Sequence, residues 1–324
     1  MYNVKELSEI VDNAISTIEL PESPSNLYKP IKYLLSTGGK RIRPVLVLSA
    51  CNLFNESIDK AIFPSIAVEV FHNFTLVHDD IMDNATIRRG KETIHKKWNT
   101  NIAILAGDAM SIIAYKLLCR TDSKYLPNIL SVFNTFSLGI CEGQQYDMDF
   151  EAQKVATQEE YTQMIELKTA VLLRGALQIG AIIGEAKAND IEFIGDFGLN
   201  LGLAFQLQDD LLDVYGDPEI FGKKEGGDIV ANKKTILTIK AFSKADSKTL
   251  GRLKELYSTS DYSNIQKVNE VTQIFNDLDI KKDVELLIQN YFDKAKISLE
   301  KISTNSSRKL VLTELAADLM TRKK

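Results

Sequence analysis

Two aspartate clusters of the same form are the residues best suited to chemistry in this chain. Asp79-Asp80-Ile81-Met82-Asp83 ends one apolar stretch, and Asp209-Asp210-Leu211-Leu212-Asp213 ends another. Carboxylates rarely occur in stretches that would be buried unless a cation neutralises them. On a helix, the first and last aspartates of each cluster share a face. Two such faces turned toward each other would offer hard oxygen ligands suited to Mg²⁺ and a phosphate-bearing substrate.

Basic residues stand in the segments that long helices would bring near these carboxylates. Glycine lets a backbone approach a ligand closely, arginine grips phosphate oxygens with two donors, and lysine supplies a point charge. A single basic loop usually means only a solvated surface, but several of them around two aspartate clusters indicate sites for two diphosphates. The basic elements are residues 38–44 (GGKRIRP), residues 88–90 (RRG), residues 168–169 (KT), and Lys223, Lys224 and Lys233 around residues 226–228 (GGD).

His72 precedes the first cluster on the same predicted helix. At ~100° per residue, a straight helix places His72 within about 20° of both Asp79 and Asp83. A lone histidine on an apolar helix is more often a core residue than a functional one. The shared face is what favours a role for His72 in the same cavity as the aspartates.

The composition excludes several classes of protein. The chain has 324 residues, of which 44% are hydrophobic, and its net charge of −5 argues against nucleic acid as a partner. Cys51, Cys119 and Cys141 lack CxxC spacing and are expected to be buried small hydrophobes in a reducing compartment. Residues 1–20 lack a signal-peptide pattern, and no run of about 18 uncharged apolar residues occurs. We therefore expect a cytoplasmic protein without a transmembrane segment.

The elements that must position these residues are predicted to be long helices. No proline occurs between Asn128 and Asp217, and helix interiors exclude proline. Apolar residues recur every three or four positions before the first cluster and again along residues 172–183, whereas strand alternation is hard to find. We predict an all-α protein, with residues 1–324 forming one domain and peripheral helices after about residue 245.

The motifs, in this order and spacing, resemble the trans-isoprenyl diphosphate synthases of the polyprenyl synthetase family. The resemblance runs from about Leu34 to Leu237, and it also includes residues 143–147 (GQQYD) and residues 205–213 (FQLQDDLLD). It implies a single-domain bundle of long helices around a deep central cavity, usually a homodimer. It also implies a transferase that condenses isopentenyl diphosphate with an allylic diphosphate, which would be dimethylallyl, geranyl or farnesyl diphosphate.

The resemblance assigns roles to the aspartates and the basic residues. Asp79, Asp83 and Asp209 resemble the direct ligands of Mg²⁺, with three ions per active site, and Asp80, Asp210 and Asp213 support them. The residues that would clamp the allylic diphosphate are Arg88, Lys168, Lys233 and either Lys223 or Lys224, with Thr169, Gln206, Gln144 and Asp147 as polar partners. The residues that would bind isopentenyl diphosphate are Lys40, Arg43, His72 and Arg89. The resemblance implies a catalytic role for Asp79, Asp80, Asp83, Asp209, Asp210, Lys168 and Lys233.

Product length is expected to depend on the residues just before the first cluster. Phe74 precedes Asp79 by five positions, about 7.5 Å along a helix. This chain has one aromatic residue at that position and no insertion in the cluster, and in this it resembles the geranylgeranyl (C20) synthases of the family. Farnesyl (C15) synthases come next, and a longer-chain polyprenyl synthase is the alternative. An ideal helical wheel places Thr75 nearer to the Asp79 face than Phe74, and Tyr115 could also form the floor of the cavity.

Three other kinds of protein share some of these features. Glu69–His72 and Glu92–His95 both fit the ExxH motif of di-iron carboxylate bundles, although this reading leaves the basic loops unexplained. A class I terpene cyclase would share the aspartate chemistry but would not need an isopentenyl site such as the one that residues 38–44 suggest. A non-catalytic subunit of a heteromeric prenyl synthase could lose its aspartates, whereas here all six remain.

Overall fold

A computed structural model describes residues 1–152, 156–216, 226–258 and 262–321 of the chain. Lys223 and Lys224 lie outside the described residues. The described part consists of helices joined by short loops, with one hairpin of two-residue strands, so the predicted all-α class is confirmed.

In the described residues the only sheet is the two-stranded hairpin, and all other regular elements are helical. Before residue 125 they are α1 (Val4–Ser16), α2 (Ser25–Leu35), α3 (Ile42–Phe54), a 3-10 turn (Asp59–Ala61), α4 (Ile62–Met82), β1 (Ile87–Arg88), β2 (Lys91–Glu92), α5 (Ile94–Lys97) and α6 (Thr100–Leu118). After it they are α7 (Leu126–Ala152), α8 (Gln158–Ile165), a π-helical segment (Glu166–Ala170), α9 (Val171–Ile183), α10 (Ala188–Tyr215), α11 (Gly227–Val230), α12 (Ile236–Lys244), α13 (Ser247–Ser258), α14 (Asn264–Asp277), α15 (Ile280–Lys301) and α16 (Ser306–Met320).

The chain divides into two compact units. Unit 1 comprises Met1–Asn134, Gly175–Ile194 and Ser303–Leu312, and unit 2 comprises Thr135–Arg174, Gly195–Ile302 and Thr313–Lys324. The organisation as one domain therefore stays a prediction. The first aspartate cluster belongs to unit 1 and the second to unit 2.

Unit 1 is built on α3 and α4, which are buried along most of their length. Both are apolar on nearly all sides, which is the pattern of a core helix. Helix α4 packs along α6. Gly180 of α9 lies so close to α3 that a methyl group added there would stand 2.1 Å from the Val47 carbonyl oxygen.

Unit 2 has its own core, formed around α10. Leu207 and Leu211 of α10 pack in one hydrophobic cluster with residues of the helices after residue 245. Leu253 and Phe275 from those later helices are completely buried. The later helices therefore contribute to the core of unit 2 as well as to its surface.

One prediction about the cysteines is wrong. Cys51 is buried, as expected, but Cys119 and Cys141 are exposed. Cys119 follows Leu105 and Ile112 at intervals of seven residues, and each of these two side chains is 60% exposed. Helix α6 therefore has an exposed apolar stripe as well as a buried one. Hydrophobic spacing in the sequence does not show which of the two stripes faces the core.

Candidate active site

The first aspartate cluster lies at the C-terminal end of α4, where the helix gives way to the hairpin. Asp80 is only 4% exposed, and Asp83 caps the helix and is exposed. Burial raises the pKa of Asp80 to about 6, Arg88 opposes this rise, and Asp79 and Asp83 reinforce it. The site therefore concentrates negative charge where solvent stabilises it poorly.

The hairpin after α4 directs its two arginines to different neighbours. Arg89 and Gly90 both have positive φ and form the two-residue turn between β1 and β2. Arg88 Nε lies 2.6 Å from Asp80 Oδ1, and Arg88 Nη2 lies 4.0 Å from Asp79 Oδ2. Arg89 Nη1 instead donates to the Gly38 carbonyl oxygen at 2.5 Å. Arg88 thus pairs with aspartates of the first cluster, and Arg89 is hydrogen-bonded to the basic turn.

The predicted basic turn at residues 38–43 packs against Arg89. Gly38 and Gly39 have φ values of 72° and 142°. A methyl group added at Gly39 would lie 3.0 Å from the Arg89 guanidinium, so glycine allows this close approach. Lys40 is exposed and Arg43 is half-buried at the start of α3.

His72 is buried on α4 among positive charges. Its pKa lies well below the ordinary value, first because of burial and then because of Arg43, Arg89, Arg88 and Arg41. The imidazole is therefore neutral near pH 7, and the surrounding charge favours an anion. The structure brings His72 into the electrostatic range of Arg43 and Arg89, two of its predicted partners in the isopentenyl site.

An aromatic cluster surrounds the predicted chain-length residues of unit 1. Phe74 packs edge to face on Phe71 at 5.3 Å and on His78 at 4.9 Å between ring centroids. Phe71 contacts Phe133 at 5.0 Å, and Phe133 in turn contacts Tyr115 at 5.0 Å. Phe74 and Tyr115 thus belong to one continuous cluster. The sequence does not predict Phe71 or Phe133 as chain-length residues, and α7 carries no motif at Phe133.

Thr75 differs from the other chain-length candidates. Its hydroxyl donates to the His72 carbonyl oxygen at 2.8 Å, one turn earlier on α4. The side chain is half-buried and bonded to its own helix. Its hydroxyl therefore points back along the helix.

The second aspartate cluster lines a cavity of about 350 Å³ in unit 2. Its walls come from α7, α8, α10, the π-helical segment, α11 and the residues that follow α11. The side chains that can carry charge or hydrogen bonds there are Asp147, Tyr161, Lys168, Thr169, Gln206, Asp209, Asp210, Asp213, Asp228, Asn232, Lys233, Lys234 and Thr235. All predicted residues of the allylic site that belong to the described part of unit 2 line this cavity, except Gln144, which lies on α7.

Lys168 and Thr169 stand on the π-helical segment that interrupts the run from α8 to α9. Such bulges are rare and frequently occur at functional sites. Two glycines let neighbouring helices approach this segment closely. A methyl group at Gly143 would lie 2.3 Å from the Lys168 backbone nitrogen, and one at Gly202 would lie 2.6 Å from Ala170 Cα.

A chain of hydrogen bonds links the π-helical segment to the second cluster. Thr169 donates to Gln206 Oε1 at 3.1 Å, and Gln206 Nε2 donates to Asp210 Oδ1 at 3.2 Å. The Tyr161 hydroxyl donates to the other oxygen of Asp210. Burial raises the pKa of Asp210 to about 8, while these hydrogen bonds oppose the rise. Lys168 Nζ lies 2.6 Å from Asp147 Oδ2 on α7.

The third aspartate of the second cluster anchors the segment that carries Lys233. Asp213 Oδ2 accepts the Asp228 backbone N–H at 2.9 Å, and the Asp213 carbonyl oxygen accepts the Gly226 N–H at 2.7 Å. Lys233 Nζ lies 3.9 Å from Asp228 Oδ1. Asp213 therefore orders a neighbouring backbone segment, and its supporting role at the metal stays a prediction.

Sequence reasoning missed Tyr161 and Lys234 as residues of this cavity. Tyr161 shares one helical face with Ile165 and Lys168, at spacings of four and then three, so its position could have been found from Lys168. Lys234 donates to the Phe150 carbonyl oxygen, a contact that no local pattern indicates.

The carboxylates fit Mg²⁺ by chemistry more than by preformed geometry. Among the described residues, no group of three or more Cys, His, Asp or Glu side chains is arranged as a metal site. The donors available are nevertheless carboxylate oxygens, which Mg²⁺ prefers, and it usually binds through one or two of them together with substrate phosphates. Asp210 and Asp213 of the second cluster are buried. That the two clusters face one another stays a prediction.

The surroundings of the two ExxH motifs do not fit a di-iron site. Glu69 lies 2.8 Å from the Arg41 guanidinium, so its carboxylate has a protein cation as partner. Glu92 is exposed on β2, and His95 belongs to the four-residue helix α5. The two ExxH motifs therefore do not come from two long facing helices.

The chain is similar to known proteins both in sequence and in structure. The model of the family described as polyprenyl synthetase matches residues 24–275. A geranylgeranyl diphosphate synthase from Methanosarcina mazei is 39% identical over 243 residues, 74% of this chain and 75% of the relative. A geranylfarnesyl diphosphate synthase from Natronomonas pharaonis is 38% identical over 257 residues, again 74% and 75%. A crystal structure of a geranylgeranyl pyrophosphate synthase superposes with a TM-score of 0.94 at 43% identity, covering 100% of both chains.

The chain belongs to the polyprenyl synthetase family. This membership confirms the predicted enzyme class, a trans-prenyltransferase, and with it the resemblance drawn from the motifs. The family assignment does not rest on any single residue, so the roles of individual side chains stay proposals.

Proposed function

We propose that the protein condenses isopentenyl diphosphate with an allylic diphosphate to give a trans-prenyl diphosphate of 20 carbons. The observation that carries this proposal is the cavity of unit 2, in which Lys168 and Lys233 stand beside Asp209 and Asp210. Cations that bind diphosphate and carboxylates that bind metal lie together there, and the residues match the family motifs. A nucleophile for covalent catalysis is not required.

In the proposed reaction, the bond between the allylic carbon and the diphosphate oxygen breaks, and its electron pair leaves with the diphosphate. Lys168, Lys233 and Arg88 hold the diphosphate oxygens, and Thr169 and Gln206 orient them. The double bond of isopentenyl diphosphate, held by Lys40, Arg43, His72 and Arg89, then forms the new carbon–carbon bond. A proton leaves the isopentenyl unit and passes to the released diphosphate.

Asp79, Asp83 and Asp209 would hold Mg²⁺, which would supply positive charge to balance the negative diphosphate. Asp80, Asp210 and Asp213 support these ligands. Asp80 does so through its pair with Arg88, and Asp213 through the backbone segment that it anchors. Water must be kept from the allylic cation, and the aromatic cluster around Phe74 provides an apolar surface near the first cluster.

The expected product is geranylgeranyl diphosphate. Phe74 is the single aromatic residue at the fifth position before Asp79, and the ring cluster with Phe71, Phe133 and Tyr115 supports its assignment as a floor. Two relatives with similar identity make products of 20 and 25 carbons by their names, geranylgeranyl and geranylfarnesyl diphosphate synthase. Overall similarity therefore does not fix product length, and we assign it to Phe74 and its ring cluster.

The test is a product assay with isotopically labelled isopentenyl diphosphate and, in turn, dimethylallyl, geranyl and farnesyl diphosphate as primers. With Mg²⁺ present, chromatography of the dephosphorylated products is expected to show a 20-carbon alcohol from all three primers. A longer product would favour the polyprenyl alternative. No product from any primer, with the protein folded and Mg²⁺ supplied, would refute the proposal.

We further propose that the enzyme acts as a homodimer in the cytoplasm. Helix α6 is long and apolar enough to span a membrane by length and composition. Only 39% of its most apolar 18-residue stretch is buried within the chain, so much of its apolar surface is exposed. It also carries Asp108 and Lys116, and its stripe of Leu105 and Ile112 is exposed. A second copy of the chain covering this stripe accounts for the exposed apolar surface better than water does.

A further inference from the structure

The basic motif at residues 38–44 carries three cations, and one of them differs from the others. Lys40 is exposed and Arg43 is half-buried, but the side chain of Arg41 is only 4% exposed. Arg41 also has a left-handed backbone, with φ at 49°, immediately before α3. A residue with a side chain adopts this conformation at a cost, so the surroundings must hold Arg41 in place.

The anchor of Arg41 is a buried hydrogen-bond network in unit 1. Its Nη1 donates to Glu69 Oε1 at 2.8 Å, its Nε to Asp12 Oδ1 at 3.0 Å, and its Nη2 to the Leu35 carbonyl oxygen at 3.0 Å. The side chain of Glu69 is only 3% exposed. Asn73 completes the network, since its amide donates to Glu69 Oε1 at 3.0 Å and to the Glu69 carbonyl oxygen at 2.8 Å.

We infer that Arg41 and Glu69 are a positioning pair that fixes the basic turn on α4 and thereby presents Lys40 and Arg43 to isopentenyl diphosphate. This inference rests on the proposed function, which assigns Lys40, Arg43, His72 and Arg89 to that substrate. Glu69 lies three residues before His72 on α4, so one ion pair sets the turn relative to His72.

The geometry argues against Arg41 as a direct diphosphate ligand. The side chain of Arg41 is only 4% exposed, its Nε, Nη1 and Nη2 each already donate within unit 1, and the Glu69 carboxylate would itself repel a diphosphate. Arg88 and Lys168 also pair with carboxylates, but their side chains are 31% and 24% exposed. The two roles therefore predict opposite effects of removing the negative charge of Glu69. If Arg41 is a ligand, Glu69→Gln strengthens isopentenyl diphosphate binding. If Arg41 is a positioning residue, Glu69→Gln weakens it, because the turn loses its charged anchor.

The experiment measures separate KM values for isopentenyl diphosphate and for the allylic diphosphate in Arg41→Gln, Glu69→Gln and the double variant. Loss of a charged hydrogen bond that holds the turn is expected to raise the KM for isopentenyl diphosphate about 10- to 100-fold. The KM for the allylic diphosphate is expected to change less than about twofold. The double variant should raise the KM for isopentenyl diphosphate no further than the single variant with the larger effect, because the two residues act as one unit.

Matched variants separate positioning from loss of folding. Arg41→Lys keeps the charge without the planar fork and is expected to recover part of the lost affinity. Asp12→Asn removes the most exposed partner of Arg41 and should raise the same KM by a smaller factor. Arg252→Gln removes an arginine that is paired with Glu270 on α14, and it should leave both KM values unchanged.

Two results would overturn the inference while the wild type turns over normally. One is a lowered KM for isopentenyl diphosphate in Glu69→Gln, and the other is an equal rise in both KM values that follows the loss in melting temperature. Failure of the proposed function is distinguishable from either. In that case the wild-type protein itself would form no product and would show no binding of isopentenyl diphosphate by calorimetry.

Discussion

Asp79 and Asp209 are the residues whose loss should stop the reaction, because each supplies a carboxylate that no neighbour replaces in the proposed site. We expect Asp79→Ala and Asp209→Ala each to lower kcat by about a hundred- to a thousandfold, the scale on which removal of a key electrostatic group acts. Steady-state assay with saturating Mg²⁺ measures this change. Asp318→Ala, on the exposed face of α16, is the matched control and should retain full activity. Near-normal turnover in either site variant would contradict the two-cluster mechanism.

Phe74 is expected to set product length through the space that its ring occupies. Phe74→Ala removes the ring that packs on Phe71 and His78, and so it opens the cluster on the face of α4 below Asp79. Chromatography of the products should show a shift from 20 carbons to longer chains. Ile265→Ala, at an exposed position of α14, serves as the control and should leave product length unchanged. An unaltered 20-carbon product from Phe74→Ala would refute Phe74 as the floor.

At the scale of elements, the π-helical segment from Glu166 to Ala170 depends on close contact with its neighbours. Gly143→Ala would place a methyl group 2.3 Å from the Lys168 backbone nitrogen. Overpacking of this kind usually costs about 1–3 kcal/mol in the free energy of unfolding. Because the displaced backbone carries Lys168 and Thr169, the KM for the allylic diphosphate should rise more than the KM for isopentenyl diphosphate.

Gly251→Ala provides the control for this prediction. Gly251 lies within α13, and a methyl group added there meets no atom within 4 Å. Alanine in a helix interior should stabilise the fold by about 0.5–1 kcal/mol without affecting either KM. Thermal unfolding and steady-state kinetics measured together check both variants. A Gly143→Ala protein with normal stability and normal KM values would show that the segment accommodates the methyl group without moving Lys168.

The elements themselves show where prediction from sequence succeeds. The apolar spacing before the first cluster predicts a helix, and α4 spans Ile62–Met82 and ends within that cluster. The spacing along residues 172–183 is likewise confirmed by α9. The π-helical segment was not predicted, because hydrophobic spacing does not indicate a turn with one extra residue, and the segment's close contacts with Gly143 and Gly202 are remote in sequence.

At the scale of the whole molecule, the exposed stripe of α6 should decide the oligomeric state. Leu105→Glu and Ile112→Glu place charge on an apolar surface that the proposed dimer would bury. Each should convert the dimer to a monomer in light scattering coupled to gel filtration. Ile265→Glu introduces the same charge at a side chain that is 75% exposed and should leave the dimer intact. A wild-type protein that is monomeric at micromolar concentration would contradict the proposal.

The sequence alone determined the helical class and the family, and it contains the two aspartate clusters on which the proposed reaction rests. These features are local, because hydrophobic period and motif spacing are read along the chain and need no knowledge of distant contacts. Tertiary structure alone distinguished the cations of the basic motif. Arg41 stands between Lys40 and Arg43 in sequence, yet it is buried against Glu69, which lies 28 positions further on. Tertiary structure likewise placed Tyr161 on Asp210 and exposed Cys119, because burial and partner choice depend on which helices meet.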